Sequence, residues 1–200
     1  MKLWFTRITC ALLLAAAALA QTQWQIDPAH SAAQFAVSHM MISKVRGQFG
    51  KMSGTAVYDA ANPSAASVQA EVDVVSIDTR EPKRDAHLKS PDFFDVEKFP
   101  KMTFKSTKIE PAGAGKLKLT GDLTIHGVTR PVVFTVDGPS APIKDQRGGQ
   151  RVGATATATI SRKEFGMTWN RVIEAGGLAV SDDVTITLDI EMATAPPSKT

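Results

Sequence analysis

The sequence predicts an all-β fold, an antiparallel barrel of about eight strands with one or two short helices closing one end. Three observations lead there. Apolar and polar residues alternate through almost the whole chain beyond residue 20, turn-forming clusters divide the alternating runs, and little room is left for a long amphipathic helix. The cleanest run sets Leu117, Leu119, Gly121, Leu123 and Ile125 on a dry face against Lys118, Thr120, Asp122, Thr124 and His126 on a wet one. At about eight strands a closed barrel either fills itself with side chains or holds one small ligand, and closure removes exposed sheet edges. A two-sheet sandwich satisfies the same alternation and stands as the alternative.

Residues 1–20 read as a secretory signal. Lys2 and Arg7 form a basic start, an apolar run begins at Ile8, and Ala18-Leu19-Ala20 fits a small-residue cleavage site. The mature chain is therefore expected to begin at Gln21, in the periplasm or outside the cell. Ala33-Phe35-Val37 gives the first dry strand face, a strand is expected near Val45 to Tyr58, and Val68-Ala70-Val72-Val74 gives the next. The stretch from Arg84 to Phe104 changes character. Good helix formers follow Pro82, Pro91 ends that helix, and Asp92 can cap a further turn holding Phe93 and Phe94. Two adjacent phenylalanines need burial, so this stretch is expected to plug one end of the barrel or to form a lid over a cavity.

Beyond it come a strand near Met102 to Ile109, the 117–125 run, Val132-Phe134-Val136, Val152-Ala154-Ala156-Ala158-Ile160 and Val184-Ile186-Leu188-Ile190. Turns are expected at Asp27-Pro28, Asn62-Pro63, Pro111 to Gly115, Gly127 to Pro131, Gly138 to Gly149 and Gly176-Gly177. The barrel domain is expected over 21–192, with 193–200 as a disordered tail.

The formal charge falls from +3 to +1 when Lys2 and Arg7 leave with a segment that holds no acid, and no basic run carries interleaved aromatics. Nucleic acid is set aside as a partner. The single cysteine, Cys10, leaves as well, so the mature chain must fold without disulfides and has no thiolate ligand or thiol nucleophile. No later segment approaches the ~20 apolar residues that span a bilayer, and no stable membrane insertion is expected.

The four histidines, His30, His39, His87 and His126, show no metal-binding spacing, so no metal site is expected. His39 continues the dry face of Phe35 and Val37 and is expected near a barrel end, while His126 opens a hairpin turn. Arg84, Asp85 and His87 are expected to form a polar cluster that latches the helix to the barrel. No Gly-x-Ser-x-Gly elbow, phosphate loop or dinucleotide fingerprint occurs, and no catalytic residues are assigned.

Several ordered stretches then carry a resemblance: WQIDPAHSAAQFAVSH from Trp24 to His39, GQFGKMSG from Gly47 to Gly54, SIDTREPKRDAHLKSPDFFDVEKFP from Ser76 to Pro100, LTIHGVTRPV from Leu123 to Val132, and SRKEFGM from Ser161 to Met167. In these the chain resembles the YceI-like family of exported polyisoprenoid-binding proteins. The resemblance implies a lipocalin-like barrel whose apolar tunnel takes the tail of an isoprenoid quinone or similar long-chain lipid, bound as ligand and not as a catalytic cofactor. Composition and spacing do not supply that ligand. Gly138 to Arg151 and Trp169 to Ser181 lie outside the matching stretches, which leaves head-group preference open.

The expected function is a periplasmic or secreted lipid carrier. At ~0.8 kcal/mol per buried methylene, one isoprene unit contributes up to ~4 kcal/mol gross, so a few units offset the cost of association. Strand parity gives the candidate lining: Phe35, Val37, Val72, Val74, Phe104, Leu119, Leu123, Ile125, Phe134, Val136, Ala156, Ala158, Ile160, Ile186 and Leu188, with His39 at the rim. The small residues Gly121, Ala154, Ala156 and Ala158 suggest unfilled interior volume. A solid barrel acting as a stress-related interaction protein, and a small lipid-acting enzyme, are the rival readings; a homodimer is left open.

Overall fold

The computed structural model describes residues 22–59, 62, 65–173 and 176–195. The expected signal segment and residues 196–200 of the expected tail lie outside the described residues. In chain order the elements are β1 (Gln23–Ile26), β2 (Ala32–His39), β3 (Ser43–Phe49), β4 (Met52–Val57), β5 (Ser67–Asp73), β6 (Ile77–Asp78), α1 (Pro82–Lys89), β7 (Lys101–Pro111), β8 (Lys116–Ile125), β9 (Val128–Asp137), β10 (Ile143–Lys144), β11 (Gln150–Ser161), β12 (Val172–Ile173), β13 (Gly177–Leu178) and β14 (Val180–Ala193). The neighbours β11-β9-β8-β7-β5-β4-β1-β14 form an antiparallel ring of eight strands that closes where β14 pairs with β11. The fold is a barrel and not a sandwich. β14 runs through Ala193, one residue past the expected limit of the domain.

One expected strand is bent into a pair, and β1 is a strand that the alternation did not mark. The run near Val45 to Tyr58 is broken at Gly50 and Lys51, whose N–H groups donate to Ser76 O and Ser76 Oγ, both at 3.1 Å. β4 therefore follows β5, while β3 leaves the ring to pair with β2 and with β6. β1 and β2 likewise share one edge of β14, β1 at Met192–Ala193 and β2 from Val180 to Asp189. At this end no ladder joins β6 to β7 among the described residues, and the gap in the wall is filled by a 3-10 turn at Val74–Ser76, by α1 and by the chain following it.

Local chemistry explains the plug. Glu81 caps α1 by accepting from Lys83 N–H, Pro82 sits at its first turn, and Ser90 ends it just before Pro91. The following turn is organised by Ser90 and not, as expected, by Asp92: Phe93 N–H and Asp95 N–H donate to Ser90 O, and Phe94 N–H donates to Leu88 O, each at 3.0 Å. Asp92 lies 2.9 Å from His87 Nε2 instead. This geometry turns Phe93 and Phe94 inward.

The β8–β9 hairpin turns on His126 and Gly127, at φ 51° and 72°, the left-handed pair that a two-residue hairpin requires. His126 packs edge-on against Phe99 at 4.9 Å, which gives it the structural hairpin role expected of it. Across the ring, β9 and β11 pair only from Thr135 to Asp137 with Thr155 to Thr157. Beyond that point the strands separate, and a 3-10 turn at Arg162–Phe165 fills the opening with the fully buried Phe165.

Candidate functional site

The inward faces do not fill the barrel. They enclose a cavity of about 260 Å³ that runs from Val180, Leu88, Phe93 and Arg162 at the α1 end to Ile26, Val68 and Met192 at the other. Trp24, Ala56 and Val152 form the buried layer at that second end. The lining comes from strand parity: alternate residues on β2, β5, β7, β8, β9, β11 and β14 point inward, as on any pleated strand of a closed barrel.

Of the sequence-predicted residues, Phe35, Val37, Val72, Phe104, Leu119, Leu123, Ile125, Phe134, Val136, Ala156, Ile160, Ile186 and Leu188 all lie on the cavity wall. Three do not. Val74 falls just beyond β5, where Asp73 accepts from Val75 N–H and starts the 3-10 turn, so the alternation stops and Val74 is buried beside Phe49 and Ile77. Ala158 faces inward but belongs to the core around Phe165, at the point where β9 and β11 have separated. His39 is the half-buried last residue of β2 and lies past the rim.

Gly121 also fails as a sign of empty space. A β-carbon there would lie 2.4 Å from the Phe104 ring, so Phe104 occupies the volume the glycine leaves. Ala154 and Ala156, by contrast, do border the cavity.

Parity reasoning missed much of the plug, and it missed Arg162 on the wall. Phe93, Phe94 and Leu88 line the cavity, Phe94 packing edge-on against Phe49 at 5.9 Å and Phe93 against Trp169 at 5.2 Å. Four lining residues are methionines: Met52, Met102, Met167 and Met192. Arg162, 3% exposed, closes one corner. Its Nε donates to Ser181 O at 3.0 Å, Nη1 donates to Met167 O and Trp169 O at 2.6 and 2.8 Å, and Nη2 lies 3.3 Å from Asp182 Oδ1. Burial pulls its pKa down and Asp182 pushes it back; a guanidinium stays charged regardless.

The latch is built differently from expectation. Asp85 accepts from both Thr79 N–H and Thr79 Oγ1, while Arg84 donates through Nε to Thr79 Oγ1 and through Nη2 to Thr79 O. The buried Thr79 thus links the two charges, and His87 takes no part; its ring packs against Phe93 and Trp169.

On the outer wall Asp27, His30 and Glu191 converge within metal-ligating distance of one another. Their counter-charge is Arg151, 2.7 Å from Asp27 Oδ2, hydrogen-bonded to Glu191 and 3.6 Å from Asp145. Arg151, then His30 and the Ala29 N–H, hold the Asp27 carboxyl well below the ordinary carboxylate range. In Arg151→Met it should titrate closer to about 4. A depressed folded pKa gives stability that is present above the unfolded value and lost as pH falls through the folded one. The stability gap between parent and variant should therefore narrow below about pH 4. Carboxyl NMR titrations and acid melts of both check this; an unchanged Asp27 midpoint would remove Arg151 as the cause.

Comparison with known proteins places this barrel. A family model for the YceI-like domain matches residues 24–192. A UPF0312 protein of Shewanella baltica is 39% identical over 165 residues, 82% of this chain and 86% of its own, and one of Vibrio cholerae is 41% identical over 139 residues, 70% and 73%. Among solved structures, Burkholderia cenocepacia BcnA superposes with a TM-score of 0.71 at 26% identity, covering 83% of this chain and 98% of its own. The Campylobacter jejuni YCEI protein gives 0.66 at 30% identity, covering 81% and 90%. With the match spanning nearly every described residue of the barrel, the chain belongs to the YceI-like family.

Proposed function

We propose that this protein is an exported carrier that takes the isoprenoid tail of a quinone or similar long-chain lipid into its barrel, in the periplasm or outside the cell. The observation that carries the reading is the unfilled apolar cavity of about 260 Å³ inside a closed ring. An unfilled interior forfeits dispersion contacts that a few larger side chains would restore, so a solid barrel has no use for it. A domain of Saccharophagus degradans described as polyisoprenoid-binding has the same fold, with a TM-score of 0.62 at 15% identity. The cavity is slightly smaller than the ~300–1,000 Å³ of typical ligand sites. Its four methionines answer that, because unbranched thioether side chains swing aside at small cost to admit more chain.

The chemistry offered is burial. Arg162, the one charged residue on the wall among the described residues, spends its donors on carbonyls and Asp182 and holds no described nucleophile or base in place. The outer faces of β7 and β8 carry Lys101, Lys105, Lys116, Lys118 and Asp122, unlike the apolar outer band of a membrane-spanning barrel.

The test is organic extraction of the natively purified protein followed by mass spectrometry. About one long-chain isoprenoid per barrel is expected, a simple one-site occupancy; protein that emerges lipid-free and takes up no added polyisoprenoid would favour the solid-barrel rival.

A further inference from the structure

Two hairpins at the α1 end of the barrel hold apolar side chains out in water. Between β2 and β3 the chain turns on Met40 and Met41, with Ile42 N–H donating to His39 O, and Met41 and Ile42 are 69% and 83% exposed. Beside it lies the β12–β13 hairpin, where Val172 is 74% exposed and its register partner Leu178 is also exposed. The hairpins form one tip: Met40 N–H donates to Ala179 O at 2.8 Å, and Met41 Cε lies where a β-carbon on Gly177 would be, 2.5 Å away.

This arrangement is costly twice over. Met40 and Met41 both sit at positive φ, 51° and 60°, in a turn that Asn-Gly would make with far less strain. The same turn then exposes side chains that ordinarily leave water. Neither cost contributes to the core.

Cations surround the tip. Lys44 and Arg46 are exposed on the outer face of β3, and Arg171 precedes Val172; none has an ion-pair partner among the described residues. The adjoining Asp182 is engaged by Arg162 and Lys163, while Asp183 and, in the sequence between β12 and β13, Glu174 offset part of the cationic charge. Exposed methionine, isoleucine, valine and leucine with Lys44, Arg46 and Arg171 close by in the chain match an anionic bilayer surface, where apolar side chains enter the head-group boundary and cations meet phosphate. The tip also adjoins the cavity, because Val37, three residues before Met40, and Val180, next to Ala179, line the wall.

We propose that the Met40–Ile42 and β12–β13 hairpins are a reversible docking tip for anionic phospholipid membrane, aimed so that the α1 end of the cavity faces the bilayer. Docking itself does not require an isoprenoid in the cavity, so it is tested apart from the carrier reading.

The experiment compares co-sedimentation of the purified protein with phosphatidylglycerol-containing vesicles and with neutral phosphatidylcholine vesicles. The parent should bind the anionic vesicles roughly tenfold or more tightly, with added salt weakening the binding. Met41→Ser/Ile42→Ser/Val172→Ser should lose roughly tenfold or more, and Lys44→Ser/Arg171→Ser should lose the preference for anionic lipid. Both should keep the parent's melting temperature and extracted lipid load, because none of these residues lines the cavity. A parent that ignores both vesicles, or a triple variant that binds like the parent, overturns the proposal. So does a parent that forms a dimer abolished by the triple variant without binding vesicles, which would make the tip a self-association face. Failure of the carrier reading alone would appear in the lipid load and leave vesicle binding intact.

Discussion

Leu123→Arg is expected to empty the barrel. Leu123 is 8% exposed on the cavity wall, opposite Phe104 in the β7–β8 register. A guanidinium placed there meets apolar wall on all sides and has no hydrogen-bond acceptor already directed at it. Bound lipid should fall roughly tenfold or more, and stability should fall by several kcal/mol, on the order of an unpaired buried polar group. Thr124→Arg, one residue along on the outer face, should stay within about 0.5 kcal/mol of the parent and keep its lipid. Because the arginine variant can fail to fold, Ala156→Leu is the companion. In a cavity the added methyl groups are accommodated, so melting should hold or rise while lipid falls; in a filled core the same change should cost about 1–3 kcal/mol. Circular dichroism, melting and extracted lipid are read for all three. A folded Leu123→Arg protein carrying the parent's full lipid load would take β8 off the ligand wall.

Arg162→Met should unfold the α1 end or the whole domain. Methionine keeps most of the apolar stem but removes the donors that serve Ser181 O, Met167 O and Trp169 O and leaves Asp182 with Lys163 alone of the two cations that engage it. Each acceptor left dry costs about 1–3 kcal/mol, and relaxation with entering water recovers part of that, so a loss of about 3 kcal/mol or more is expected. Arg162→Lys should recover little, since one ammonium cannot reach three diverging carbonyls with a planar fork's geometry. Denaturant melts give the size, and hydrogen exchange at Met167 to Val180 locates it. A variant as stable as the parent, with unchanged exchange there, would show that these bonds only replace equivalent ones to water.

These two positions also mark what the sequence can and cannot convey. Leu123 was legible because β8 alternates without interruption from Leu117 to Ile125, and a period of two fixes the face of every residue once one is fixed. The same logic placed Phe35, Phe134, Val136 and Ile186 correctly on the wall. It failed at Val74, where a single aspartate cap converts strand to turn, and at Gly50, where two hydrogen bonds to Ser76 divide one expected strand into two. Arg162 was invisible for a different reason. A charge on an alternating pattern reads as solvent-facing, and only acceptors lying 5 to 20 residues further along the chain make its burial possible. The Thr79 link between Arg84 and Asp85 was half legible: the polar cluster was expected, but helical spacing pointed to Arg84 with His87, whereas the threonine that joins Arg84 to Asp85 lies before the helix.

Strand β14 is the partner of β1, β2 and β11 at once, and it follows all three in the sequence. Synthesis therefore produces all three of those partners before the residues that join them. Until Val180 to Ala193 have been made, the apolar faces of the earlier strands have no enclosed space to turn toward, and β11 has a long unpaired edge along 150–161. A chain stopped at Ala179 would be an open, adhesive sheet and not a smaller barrel. Protection from self-association thus arrives in a single late step, and the interval before it is when this protein depends most on being kept apart from its copies.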